Sequence, residues 1–96
     1  MNNFYVYILK CADGSYYTGS TDNLEKRLDE HYLGQCGYTA SRLPINLVFS
    51  ESFDSRTQAF SFERQIKGWS RIKKEALINR DFDSLVKYSK RSKTIN

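Results

Sequence analysis

Phe4-Tyr5-Val6-Tyr7-Ile8-Leu9-Lys10 and, after Cys11-Ala12-Asp13-Gly14-Ser15, Tyr16-Tyr17-Thr18-Gly19 decide the fold. Two runs rich in aromatic and β-branched residues flank the Ala12-Asp13-Gly14 turn signal, which is the pattern of a β-hairpin. Side chains alternate along a strand, so Tyr5, Tyr7, Leu9 and Cys11 share one face and Phe4, Val6, Ile8 and Lys10 the other. Loop length then decides where Tyr17 points. A two-residue Asp13-Gly14 turn pairs Tyr7 with Ser20 and puts Tyr7 and Tyr17 on opposite faces. A three-residue loop, with Gly14 in the left-handed position of a bulge, pairs Tyr7 with Gly19 and Leu9 with Tyr17. In that register both rings share a face, and the absent side chain of Gly19 leaves a recess beside Tyr7. Periodicity leaves both registers open.

Beyond the hairpin, Asp22 with Glu25 three residues on reads as a helix start of capping-box type. Leu24, Leu28 and Tyr32 mark its core stripe, and Gly34 suits a left-handed helix end. Arg27 and His31 lie four apart at the border of that stripe, where a cation is commonly a snorkelling side chain. Residues 35–44 read as a loop, with Tyr38, Thr39 and Arg42 as its contact groups. Residues 45–53 alternate as a third strand expected to pair antiparallel with the hairpin. Ser55 with Gln58 opens a second helix whose stripe is Ala59, Phe62, Ile66 and Trp69. Glu63 lies beside this stripe; its ordinary role is a pair with Lys67 one turn on, worth a few tenths of a kcal/mol. Gly68 breaks the helix, and Ser70 caps the next one, which runs to Ile78. Phe82, Leu85 and Val86 suggest a last short helix. The expectation is one α/β (α+β) domain over residues 1–86. It has a three-stranded antiparallel sheet flanked by helices in the order ββαβααα. A basic tail over residues 87–96 is expected to fray.

Ninety-six residues suffice for one small core. No apolar run approaches membrane-spanning length and no signal-peptide pattern opens the chain, so a cytoplasmic protein without a membrane partner is expected. Cys11 and Cys36 fit no metal spacing and are expected to be reduced thiols. The net charge is +4. From Glu63 onward ten cations (Arg64, Lys67, Arg71, Lys73, Lys74, Arg80, Lys87, Lys90, Arg91, Lys93) face four acids (Glu63, Glu75, Asp81, Asp83). Such asymmetry suggests nucleic acid, against the plainer reading of a solvated helical surface. Lys67, Arg71, Lys73 and Lys74, with Arg42, are the candidate phosphate contacts.

The two tyrosine motifs, followed by a helix with Arg27, a strand and a helix with Glu63, resemble the GIY-YIG nuclease family from Tyr5 to about Leu85. The organisation is similar to that of its small, single-domain bacterial members. Tyr5 stands where the family has its first glycine, and Ser20 where some relatives have lysine. The resemblance implies a metal-dependent endonuclease. Glu63 would bind the ion, Arg27 would grip the scissile phosphate, and Tyr7 would act as general base or orient the water. Tyr17 would bind phosphate or relay a proton, and His31, matched in restriction-type branches, would assist. With no acidic cluster for two metals, a single Mg²⁺ (or Mn²⁺) at Glu63 is expected. A phenol with a pKa near 10 needs help to act as a base, and metal-bound hydroxide is the rival. DNA is favoured over RNA as the partner. With no appended recognition domain, sequence specificity would have to come from a protein partner. Two further readings stand beside this one: a nucleic-acid-binding module of the same fold with weak or no cleavage, and an RNA-directed nuclease.

Overall fold

The computed structural model describes residues 3–86. The chain forms β1 (Phe4–Lys10), β2 (Tyr16–Thr21), α1 (Leu24–Tyr32), α2 (Gly37–Ala40), β3 (Asn46–Phe53), α3 (Arg56–Lys67) and α4 (Arg71–Ile78), then a helical turn over residues 82–86. The sheet is antiparallel in the order β2-β1-β3. The expected architecture is therefore present, with α2 added inside the stretch read as loop. The fraying expected of residues 87–96 lies outside the described residues, as do Lys87, Lys90, Arg91 and Lys93.

The hairpin adopts the three-residue loop. Cys11 N donates to Ser15 O at 2.8 Å and Gly14 N to Cys11 O at 2.9 Å. Gly14 has φ +86°, a region where a side chain would be strained. Asp13 fixes the loop by accepting from Ser15 N at 3.0 Å and Ser15 Oγ at 2.6 Å. Tyr7 thus pairs with Gly19 and Leu9 with Tyr17.

As the central strand, β1 is covered on both faces, and Val6, Tyr7, Ile8 and Leu9 are all fully buried. On one face Val6 and Ile8 meet Phe49, Ala59, Ile66 and Leu77 from β3, α3 and α4. On the other, Tyr7, Leu9, Cys11 and Ile45 meet Leu24 and Leu28 of α1 and the Tyr17 ring. Each large apolar side chain taken wholly out of water contributes about 1.5–3 kcal/mol, so these two layers hold the sheet between its helices. Pairing of β3 with β1 shifts by one residue between Ile8 and Leu9. This bulge lets Val48, expected to face away from Phe49, pack with it against the same cluster.

Three local expectations are corrected. The cap of α1 is Asn23, whose side chain accepts from Lys26 N at 3.1 Å. β2 runs to Thr21, so the residue that borders the helix is Asn23, while Asp22 lies 3.8 Å from Arg56. Tyr32 is half exposed, and His31 is the fully buried residue of the last turn of α1. The helix is rotated toward Tyr7 because both nitrogens of His31 find partners there. Ser55 and Ser70 cap α3 and α4 as expected. Both cysteines are free, and no helix among the described residues is long and apolar enough to cross a membrane.

Candidate active site

Gly19 makes room for the site. A Cβ there would lie 2.6 Å from Tyr7 Oη, 2.7 Å from Tyr7 Cζ and 3.1 Å from Tyr17 Cε2. The glycine is required by this close approach of a ring, since its backbone is unexceptional. Freed of that atom, the Tyr7 ring passes over Gly19 and reaches His31, with 2.9 Å between Oη and Nε2.

His31 Nδ1 in turn lies 2.7 Å from Thr39 Oγ1, and the threonine hydroxyl is 3.4 Å from Cys36 O, to which it donates. Those partners set the tautomer. The hydroxyl that donates to a carbonyl accepts from His31 Nδ1–H, which leaves Nε2 to accept from the Tyr7 hydroxyl. Tyr7, His31 and Thr39 are each fully buried. Thr39, read from sequence as a loop contact, is thus the inner end of this chain. It is held there by α2, whose single turn no apolar periodicity announces.

Burial pushes the Tyr7 hydroxyl up to about 12, against the opposing pull of the Arg27 guanidinium beside it. Burial, and secondly Arg27, holds His31 below its ordinary value, so the imidazole is neutral at pH 7. Arg27 itself is 39% exposed and donates to Glu30 at 3.0 Å. It lines a cleft of about 320 Å³ with Ser20, Thr21, Asn23, Lys26 and Glu30. Tyr17 packs edge-on to His31, centroids 5.1 Å apart, and stacks on Tyr38 at 5.7 Å. The Arg42 guanidinium sits 4.0 Å over Tyr38.

Glu63 approaches from the other side of the sheet. Consecutive residues of a strand point to opposite faces: Gly19 faces Tyr7, and Ser20 faces α3, donating its hydroxyl to Glu63 Oε1 at 2.6 Å. Glu63 is 6% exposed, and its second carboxylate oxygen holds Lys67 Nζ at 2.7 Å. Ser20, the departure from the lysine of some relatives, thus orients the acid. Among the described residues no group of three or more His, Cys, Asp or Glu gathers as a metal cage. The donor set suits a hard ion such as Mg²⁺, which needs one or two carboxylates and takes its other ligands from water and phosphate. The ammonium on Oε2 belongs to a half-exposed side chain.

The structure gathers Tyr7, Tyr17, Arg27 and His31 into one cluster, with Glu63 joined to it across the β2 edge through Ser20. The candidate phosphate contacts are more dispersed. Lys67 is on Glu63, and Arg71 is tied to Glu75 at 3.2 Å and to Gly14 O at 2.7 Å. Lys73 caps the Trp69 ring at 4.4 Å, Lys74 is half-buried on α4, and Arg42 is bound to Asp13 at 3.2 Å.

The sequence model of the GIY-YIG catalytic domain matches residues 3–76. A UPF0213 protein of Natronomonas pharaonis is 49% identical over 75 residues, covering 77% of this chain and 88% of its own. One from Staphylococcus saprophyticus is 46% identical over 80 residues, covering 82% and 98%. Among solved structures, the solution NMR structure of a UPF0213 protein from Bacillus halodurans shares 44% identity. It has a TM-score of 0.55 and covers 80% of this chain and 83% of that one. That of an E. faecalis protein shares 33% with a TM-score of 0.60, covering 85% and 88%. The three-stranded antiparallel sheet flanked by helices agrees with these likenesses, and the chain belongs to the GIY-YIG family, a superfamily of nucleases that act on nucleic acid.

Proposed function

We propose that this protein is an endonuclease that hydrolyses phosphodiester bonds in DNA with the help of one divalent ion, Mg²⁺ or Mn²⁺. The observation that carries the reading is the enclosed chain Tyr7–His31–Thr39 beside a charged, solvent-facing Arg27. Buried polar groups cost stability unless every one is bonded. A module that only held nucleic acid would have no use for three of them lined up behind a guanidinium.

In this reading Arg27 grips the scissile phosphate, where a planar fork suits two oxygens. Tyr17, at the edge of the cluster, contacts the same phosphate. Tyr7 is enclosed and keeps its proton at neutral pH, since its pKa stands near 12. Its work is to position: it donates to His31 Nε2 and sets its oxygen against Arg27, fixing the guanidinium. Thr39 holds the imidazole in the tautomer that makes this possible. Glu63, aimed by Ser20, would hold the ion, which supplies charge neutralisation at the phosphate and acidifies water.

The test is a cleavage panel of duplex, branched and single-stranded DNA and RNA with Mg²⁺, Mn²⁺ or EDTA. Cleavage of DNA that EDTA abolishes is expected. Cleavage confined to RNA would make this an RNA-directed nuclease, and binding without cleavage on any substrate would make it a binding module.

A further inference from the structure

We infer that the pocket between Phe4 and Phe60 takes one unpaired nucleobase of the strand whose phosphate lies in the adjoining Arg27 cleft; this rests on the nuclease reading above. The pocket has a volume of about 520 Å³, within the roughly 300–1,000 Å³ usual for small-ligand sites. It is lined by Phe4, Phe60 and Ala59 and by four hydroxyl-bearing residues, Ser20, Thr21, Thr57 and Ser61. Among the described residues, Arg56 is the one charged group in the lining. Flat apolar walls, neutral hydroxyls and a single cation suit an uncharged planar ring better than a phosphate or a peptide.

Two features mark the aromatic walls as stacking surfaces. Phe60 is 52% exposed although it lies on the same helix as the buried Ala59, Glu63 and Ile66, so its ring is available to a ligand. Each ring also carries a guanidinium: Arg56 lies 5.0 Å over Phe4 and Arg64 lies 5.7 Å over Phe60. Aromatic rings interleaved with arginines are how proteins hold single strands, the rings taking bases and the cations the backbone.

Position supplies the rest. Ser20, Thr21 and Arg56 line this pocket and also the cleft that contains Arg27. The two hollows are therefore neighbours across a shared wall, and that wall includes the residue that aims Glu63. A nucleotide with its phosphate at Arg27 has this pocket beside it for a base. In a continuous duplex the bases stay stacked inside, and drawing one out costs a few kcal/mol. The geometry thus points to DNA with frayed ends, flaps or gaps as the preferred substrate class. Selection would be by structure with little regard to sequence, because every base offers a π face.

The experiment measures affinity in EDTA, so that no strand is cut, for a fully paired duplex and for the same duplex with a single-stranded overhang. A 2-aminopurine in the overhang reports stacking by its quenching. The parent should prefer the overhang by about tenfold, the scale of one base on an aromatic ring, and quench the probe. Phe60→Ala should lose both the preference and the quenching, and Phe60→Trp should restore the preference. Because Phe60 is half exposed, the alanine variant should melt close to the parent, which excludes misfolding as the cause. Equal affinity of the parent for the two DNAs, or a preference that survives in Phe60→Ala, would overturn the pocket while leaving the nuclease reading intact. A parent that binds neither DNA would overturn both.

Discussion

The two faces of β1 are equally buried and differently built. Toward α3 and α4 the strand presents Val6 and Ile8 to Phe49, Ile66 and Leu77, an apolar layer. Toward α1 and α2 it presents Tyr7 to His31 and Thr39, a hydrogen-bonded file sealed from water. The first face supplies stability by removing apolar area from solvent. The second tolerates buried polar groups only because each has a partner, and it holds them in one arrangement. The proposed site draws on both, and β2 joins them at consecutive residues: Gly19 receives the tyrosine and Ser20 aims the acid.

Two neighbours on α3 give the largest contrast. Ile66→Ala empties a fully buried position of the apolar layer. It should lower stability by about 2–5 kcal/mol and leave the turnover of the folded fraction unchanged. Glu63→Gln keeps the shape and an acceptor for Ser20 but removes the charge. Cleavage should fall by on the order of a hundredfold or more, with little change in melting temperature. Lys67, 53% exposed, simply returns to water. Melting curves and single-turnover cleavage of the two variants check this, and a Glu63→Gln that cuts as well as the parent would end the one-ion proposal.

Gly19→Ala should strike both properties together. Its Cβ would sit 2.6 Å from a buried hydroxyl that is itself bonded to His31, so the ring must shift. Overpacking of this kind costs about 1–3 kcal/mol, and loss of the Tyr7–His31 contact should lower cleavage as well. Gly37→Ala, with nothing within 4 Å of the added atom, serves as the tolerant control. Parent-like melting of Gly19→Ala would mean that the close approach is not required.

How much of this was legible follows from the same contrast. The apolar face, the hairpin and the caps at Ser55 and Ser70 obey local periods and turn chemistry, which sequence displays directly. The three-residue loop was one of two readings, and the sheet register decides it. Tyr7, Tyr17, Arg27, His31 and Glu63 came from the family resemblance. The partners that arrange them did not come from it. Ser20 meets Glu63 across 43 positions, and Thr39 meets His31 from a four-residue helix whose cap Cys36 makes no side-chain bond. Neither residue carries a period or a charge to announce it. Apolar periodicity places His31 at the stripe's border and Tyr32 within it, because an apolar count cannot see that two hydrogen bonds make an imidazole the better core residue.

A smaller effect belongs to pH. His31 is the only histidine in the chain, and burial with Arg27 holds its folded pKa below the unfolded value near 6.5. The unfolded state therefore binds the proton first. Stability is fully present above about pH 6.5 and falls as pH drops toward the folded pKa. The carboxyls of Asp13 and Asp81, held below their ordinary range by bonds from Ser15 and Ser84, act only at lower pH. Melting temperature should decline between pH 7.5 and 5.5 in the parent and stay level over that window in His31→Gln. A level parent curve would mean that the imidazole is not sealed as described.

The smallest expected effect concerns which face Lys67 serves. Sequence places it among the cations for phosphate, whereas the structure sets its ammonium 2.7 Å from Glu63. Lys67 is the half-exposed partner and Glu63 the buried one, at 53% and 8%; a bridge that opens to solvent on one side contributes about 1 kcal/mol, so Lys67→Met should melt within a few degrees of the parent. If Lys67 neutralises Glu63 until an ion arrives, its removal should lower the Mg²⁺ concentration for half-maximal cleavage. A competition of at most about 1 kcal/mol limits that change to roughly fivefold. The slope of DNA affinity against salt should then stay as it is, because no phosphate contact has been lost. If instead Lys67 leaves Glu63 to meet the strand, the slope should shrink by about one counterion and the Mg²⁺ requirement should hold. Titrating Mg²⁺ and salt on one variant thus assigns this cation either to the acid or to the substrate.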